Sequence, residues 1–505
     1  MNSTEAAHHL RVVDSRTEKP YLIPIHDNYV HAKDLGAITI SSPGDDGIPQ
    51  KLTILDNGFE NTACMESAIT HIDGYRGTVH YRGMAIEDLF RDNDFEDVLH
   101  LLVWGNLPTA SQKKATRASI NSALVPPKNV INTIAAFPRD AETYPMVIAG
   151  LSAFIASDKA ARDSRQSQKP TYRNDLNKAD QAILRTIAYY ATTIALIHCH
   201  KRNKPFTKPD PKGSLVGNLL LMMGILDPAT GKGPDPELVA CLEKLWILYA
   251  DHEMTNSTAG MLHAASTLTD PTSAIMAGLV CGFGPLHGGA IDLAYKALGE
   301  IKDPKYVPGF IEVVKQKKMR LFGYGHRIYK TRDPRLALIE ELIEKSKDKV
   351  ADNPLLKVAL AIDRVANQDE YFVSRNLKAN ADLLGCFFYS ALGFERDMII
   401  AIICLSRLPG GLAHWRETLE KPIKLWRPRQ IYSGPKPADQ TIQPRRQTTE
   451  SLSSSDMKTE KEEVVHVQQT ENVADRGRGA RKQKHTKLPF KLRLYFWAKS
   501  CFSGA

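Results

Sequence analysis

At 505 residues, 43% hydrophobic and 24% charged, the chain has the composition of an ordinary folded protein and length for about two to four domains. Its formal charge of +9 is uneven: residues 441–505 carry 13 Lys and Arg against 7 Asp and Glu. The body is therefore near neutral and lacks the basic face that nucleic-acid binding requires. The 7 cysteines show no C-x-x-C spacing, which suits a reducing compartment. His198-Cys199-His200 has no second half-site, so no metal is expected. No secretory signal is evident, and Glu5, Asp14 and Glu18 argue against a mitochondrial presequence. The longest apolar runs fall short of the ~18 residues of a bilayer span. These features point to an intracellular protein, cytoplasmic or peroxisomal rather than mitochondrial, although Ser503-Gly504-Ala505 is not a Ser-Lys-Leu signal.

In chain order, residues 1–50 are mixed and broken by the turn-rich Ser42–Gly47. Three short pieces, Leu52–Leu55, Ser67–Ile72 and Gly77–Arg82, read as strands of small hairpins. From Met84 onward the apolar spacing is helical: one segment over 86–102, ended by Gly105–Pro108, then Ser111–Leu124, Asn129–Ala136, Met146–Ser157, Lys178–His200, Ser214–Met223 and Pro236–Leu248. Arg162–Asn177 is polar and reads as an exposed loop. Further helices are expected at Ala274–Phe283, Ile291–Leu298, Val307–Lys315, Arg335–Lys345, Leu355–Gln368, Glu370–Leu377, Asn380–Leu392 and Arg396–Arg407. Gly150, Gly217 and Gly224 suggest close helix packing. Past Tyr432 the chain turns polar and should be disordered. Residues 476–505 hold nine cations and no acid between aromatic residues, a pattern that suits a membrane-surface helix but better fits an incidental tail.

Polar islands interrupt this apolar helical pattern. His326 sits in Gly323-Tyr-Gly-His-Arg and is followed by Arg327, Lys330, Arg332 and Arg335, a set that would hold an anionic substrate. His287 lies in the glycine-rich turn Gly284–Ala290. Asp382 is a lone carboxylate in an apolar run, where its charged form is disfavoured and its basicity rises. His252 and Asn256, four apart, would share a helix face. A base, two imidazoles and several arginines suit proton abstraction beside a thioester carbonyl and attack on a keto acid.

Taken together, Asn61-Thr-Ala, Ile72-Asp-Gly, Tyr81-Arg-Gly, Asp251-His-Glu, Asn256-Ser-Thr, Gly284-Pro-Leu-His-Gly-Gly-Ala290, Gly325-His-Arg-Ile-Tyr-Lys330, Asp333-Pro-Arg335, Asn380-x-Asp382, Ser406-Arg407, Ala413-His-Trp415 and Arg427-Pro-Arg-Gln-Ile-Tyr432 resemble the citrate synthase family, in its short bacterial-type form. The resemblance implies an all-α homodimer without a permanent cofactor, taking oxaloacetate and an acyl-CoA co-substrate. It implies a 1–51 extension, a large domain at 52–288, a small acyl-CoA-side domain at 289–403, a return segment at 404–434 and a tail at 435–505. It assigns catalysis to His287, His326 and Asp382, oxaloacetate binding to His252, Arg335, Arg407 and, across the dimer, Arg427, and a CoA phosphate to Lys330.

The sequence departs from the family pattern on the acyl side. Ala379-Asn-Ala-Asp-Leu-Leu-Gly-Cys386 stands where Pro-Asn-Val-Asp, an aromatic pair and Ser-Gly are usual. Ile291 replaces an asparagine and Gly411 a tryptophan. Smaller, more apolar residues there would enlarge the acyl pocket, which favours an alkylcitrate synthase of the fungal polyketide-derived kind. The rivals are a primary citrate or 2-methylcitrate synthase and an inactive CoA-binding paralogue.

Overall fold

The computed structural model describes residues 8–40, 49–167 and 170–434, so the expectations for Ser42–Gly47 and for the 435–505 tail lie outside the described residues. Contacts divide the chain into two compact units. One contains the described residues up to Leu55 and those from Arg429; the other runs from Asp56 to Pro428.

In the first unit, His8–Asp14 pairs antiparallel with Lys19–Ile25, from Asp14↔Lys19 to His8↔Ile25. Arg16 holds the turn by donating to both Asp14 oxygens, at 2.8 and 2.7 Å. Pro20 and Pro24 hide these strands in the sequence. A two-stranded ribbon has only edges, where a missing N–H is tolerated. Leu52–Leu55, read as a strand, is not one. Pairing stops at Gln50–Lys51 against Thr39–Ile40, and Leu55 is exposed.

The second unit has the expected hairpin, extended to three antiparallel strands: Thr70–Asp73, Thr78–Tyr81 and Met84–Ala85. The rest is helical, so the all-α class holds. Asp94 divides the run expected over 86–102 into Ile86–Asp92 and Phe95–Trp104. Its carboxylate accepts the Asp97 N–H at 3.0 Å and Asp97 accepts the Asp94 N–H at 3.1 Å, a reciprocal cap. Arg162–Asn177 is not loop throughout, because Lys159–Gln166 forms a helix started by Asp158, which accepts the Ala160 and Ala161 N–H groups. Glu370–Leu377 shortens to Glu370–Val373.

Two helices organise the core. Leu176–Arg202 and Arg396–Glu420 are long and apolar enough to cross a membrane, contrary to the reading that no segment reaches that length. However, 89% and 83% of their apolar windows are buried inside the protein, so they are core helices here. The Tyr190 hydroxyl joins them, donating to Ala401 O at 3.0 Å. The second helix does not stop at Arg407. It runs through Pro409, and the following N–H, of Gly410, donates to Ala250 O at 3.2 Å. Of the three glycines assigned to close packing, Gly150 fits, facing Thr193. Gly224 instead adopts φ +67° at a helix end with open space around it.

Candidate active site

The His326 loop is gripped from both sides. Gly325 N–H donates to Lys378 O and Asn380 N–H to Gly323 O, both at 2.8 Å, while the Asn380 side chain donates to Gly325 O at 3.0 Å. Gly323 has φ +75°, and a Cβ there would lie 2.7 Å from Leu383 Cβ, so only glycine allows this approach. On the other side Lys330 N–H donates to Gly74 O at 2.8 Å. The loop is thereby fixed against the N-terminus of helix Ala381–Ala391, which carries Asp382.

Within the loop, His326 Nδ1 accepts the N–H groups of Ile328 (3.1 Å) and Tyr329 (3.2 Å). An imidazole nitrogen that accepts main-chain N–H bonds carries no proton, so in the neutral ring the proton sits on Nε2. Burial, then Arg335, pushes its pKa down to about 4, with Asp333 opposing. At neutral pH His326 is thus an uncharged Nε2–H donor.

His252 stands beside it, ring centroids 5.2 Å apart, with Nε2 3.0 Å from the Tyr329 hydroxyl. Burial, followed by Arg335, Arg407 and His326, holds it well below the usual histidine range. His252 and Asn256 do not share a helix face. The helix starts at Asn256 after the Thr255 cap, His252 lies in the preceding turn, and Asn256 is exposed. Arg335 is buried and grips Asp333 through Nε (3.0 Å) and Nη2 (2.6 Å). Asp333 Oδ2 also accepts the Ala381 N–H at 2.9 Å, tying this cation to the Asp382 helix.

Asp382 occupies the first turn of its helix, and its N–H donates to Asn380 Oδ1 at 3.1 Å. Burial raises its pKa from the ordinary aspartate value; Arg335 and Arg407 pull it down and Asp333 pushes it up. His287 precedes helix Ala290–Ile301, with Nε2 3.0 Å from Ser257 Oγ. Burial, then Arg407, lowers its pKa. The Arg407 charge therefore acts on His252, His287 and Asp382 together, while its Nη1 is buried without a hydrogen-bond partner among the described residues. A half-buried guanidinium whose buried Nη1 lacks an acceptor fits an incoming carboxylate.

Tyr329 and Ser257, which hold His252 and His287, were not singled out in the sequence, although both lie inside quoted motifs. Lys330 is exposed. Arg427 is exposed on the stretch after Glu420, and within one chain it joins none of these contacts. Of the acyl-side departures, Leu383, Leu384, Cys386 and Ile291 are buried in packing. A Cβ on Gly411 would lie 3.3 Å from Met261 Sδ and 3.7 Å from Ile275 Cδ1. In this structure these positions pack against neighbouring side chains.

Fold and site define an enzyme in which two arginines act on histidines of lowered pKa and on one carboxylate of raised pKa. The family pattern "Citrate synthase, C-terminal domain" matches residues 58–429. A citrate synthase-like protein of Phoma sp. is 44% identical over 84% of this chain and 90% of its own length. The alkylcitrate synthase phiJ of a fungal species is 38% identical over 86% and 96%. Citrate synthase of Thermoplasma acidophilum, solved with carboxymethyl coenzyme A and oxaloacetate, superposes with TM-score 0.68 at 29% identity, over 76% of this chain and 97% of that one. The chain belongs to the citrate synthase family, acyltransferases that convert the acyl group to alkyl on transfer.

Proposed function

We propose that the enzyme condenses oxaloacetate with an acyl-CoA longer than acetyl, releasing CoA and forming an alkylcitrate. Arg335, Arg407 and His252 hold the two carboxylates, and Arg427 is supplied by the second subunit of a homodimer. His326 donates its Nε2–H to the keto oxygen. The Asp382 carboxylate removes the acyl α-proton while His287, with Ser257 at Nε2, offers Nδ1–H to the thioester oxygen. The enol carbon bonds to the keto carbon, the keto oxygen takes a proton, and water then cleaves the thioester to release the CoA thiol. Lys330 takes a CoA phosphate, and residues 289–403 close over the acyl side to exclude water until that hydrolysis. No permanently bound cofactor is required.

One observation supports this most: the two main-chain N–H groups on His326 Nδ1, which leave a neutral Nε2–H donor under the influence of Arg335. The longer acyl group is supported by the alkylcitrate synthases phiJ and tstJ, at 38% and 36% identity. A primary citrate or 2-methylcitrate synthase is the second reading, favoured by a citrate synthase of Dictyostelium discoideum, also 36% identical. Purified protein assayed with oxaloacetate and acetyl-, propionyl-, hexanoyl- or decanoyl-CoA, following free thiol, separates them. A preference for acetyl-CoA over every longer chain selects the second reading. No oxaloacetate-dependent thiol from any of them leaves the inactive paralogue.

A further inference from the structure

The motifs Asp251-His-Glu and Ala413-His-Trp contain two buried groups that the reaction above does not use. Asp251 and His414 are 0% and 1% exposed and face each other, His414 Nε2 lying 3.4 Å from Asp251 Oδ2. We propose that they are positioning residues for oxaloacetate: the pair locks the helix face carrying Arg407 against the turn carrying His252, and so sets the spacing of those two side chains. The proposal rests on the oxaloacetate reading given above.

Helix geometry supplies the first argument. Residues 407 and 414 are seven apart, about two turns, and point to the same side of Arg396–Glu420. Between them, Gly410 meets the turn directly: a Cβ there would lie 2.3 Å from Asp251 Oδ1 and 2.4 Å from Ala250 O. The Gly410 N–H donates to that same Ala250 O. On the turn, Asp251 Oδ2 accepts the Glu253 N–H at 3.1 Å, spanning His252, and Glu253 takes φ +56°. The Tyr81 hydroxyl donates to Asp251 O at 3.0 Å. One carboxylate thus shapes the turn that presents His252 and anchors the helix that presents Arg407.

Electrostatics supplies the second. Asp251, Glu417, Glu253 and Arg82 act on His414, and Ser67 Oγ lies 3.4 Å from its Nδ1. Burial pushes His414 down, but Asp251 and Glu417 outweigh it, with Arg82 opposing, and its pKa ends above the usual histidine value. His252, His287 and His326 are all held below that value. Of these four imidazoles only His414 changes charge above about pH 6.5. The ion pair is present below its raised pKa and is lost as pH rises through it.

The test compares the full chain with Asp251→Asn, His414→Gln and the double variant, measuring KM for oxaloacetate and for the preferred acyl-CoA separately. Each single change should raise the oxaloacetate KM about tenfold and leave the acyl-CoA KM within about twofold. The double should cost no more than the worse single, as expected for residues acting as one unit. In the unmodified enzyme the oxaloacetate KM should rise as pH climbs past the ordinary histidine value of about 6.5 and through the raised pKa of His414, whereas His414→Gln should be flat over the same range. An unchanged oxaloacetate KM, or an equal rise for both substrates, overturns the proposal. If the variants do not fold, the pH profile of the unmodified enzyme decides, and a flat profile overturns it. An unmodified enzyme that releases no thiol with oxaloacetate instead defeats the reading on which the proposal rests.

Discussion

Around His326 each reactive side chain has its own hydrogen-bond partner. Two N–H groups fix its Nδ1, the Tyr329 hydroxyl meets His252, and Asp333 takes two donors of Arg335. Around Asp382 the wiring is thinner: among the described residues its carboxylate receives no hydrogen bond, and His287 has only Ser257 at its ring. The difference shows which of the two groups of side chains is preorganised. Donors aimed at a fixed dianion cost no reorganisation when it arrives. A base has to remain underbonded to be strong, because every donor given to a carboxylate lowers its pKa.

The sharpest way to break this contrast is Asp382→Asn. It should lower kcat by roughly 10²–10⁴-fold with the oxaloacetate KM unchanged, since the wired side is untouched. The same change should raise the melting temperature at neutral pH. A carboxylate whose folded pKa is raised loses stability as pH climbs from its unfolded value through the folded one, and Asn avoids that loss. Next, Arg407→Met removes the cation left without an acceptor. It should weaken oxaloacetate by about 2–3 kcal/mol, read as a KM rise on the order of 30–150-fold. Gly323→Ala strikes the junction of the two groups: a Cβ 2.7 Å from Leu383 Cβ, at φ +75°, should cost about 1–3 kcal/mol in chemical denaturation and lower kcat by moving His326 away from Asp382. Smallest is Tyr329→Phe, which deletes one bond to His252 and should cost about 1 kcal/mol, a roughly fivefold rise in oxaloacetate KM with the acyl-CoA KM unchanged.

Most of the site was legible because its chemistry is carried by rare residue types in local motifs. His326 behind Gly325 in a basic stretch, Asp382 in an apolar run and His287 in its turn needed no distant information to be noticed. What holds them was harder to read. Tyr329 looks like any aromatic in a basic loop until its hydroxyl is found on His252, 77 residues away in sequence. The surroundings of the acyl departures were out of reach for the same reason: that Gly411 faces Met261 and Ile275 is known only once the chain has folded.

For the fold, helical periodicity from Met84 onward was enough to establish the class, since a buried helix face must repeat near 3.6 residues wherever it packs. Local pattern also placed most helix ends within a few residues. It did not place the Pro20 and Pro24 hairpin or the passage of Arg396–Glu420 through Pro409, because each depends on what a missing N–H would have faced. The spacing of Arg407 from His252 is likewise a tertiary matter. It depends on Asp251, Gly410 and His414 meeting across 163 residues of chain, and no local preference encodes a distance between segments that touch only once the molecule has folded.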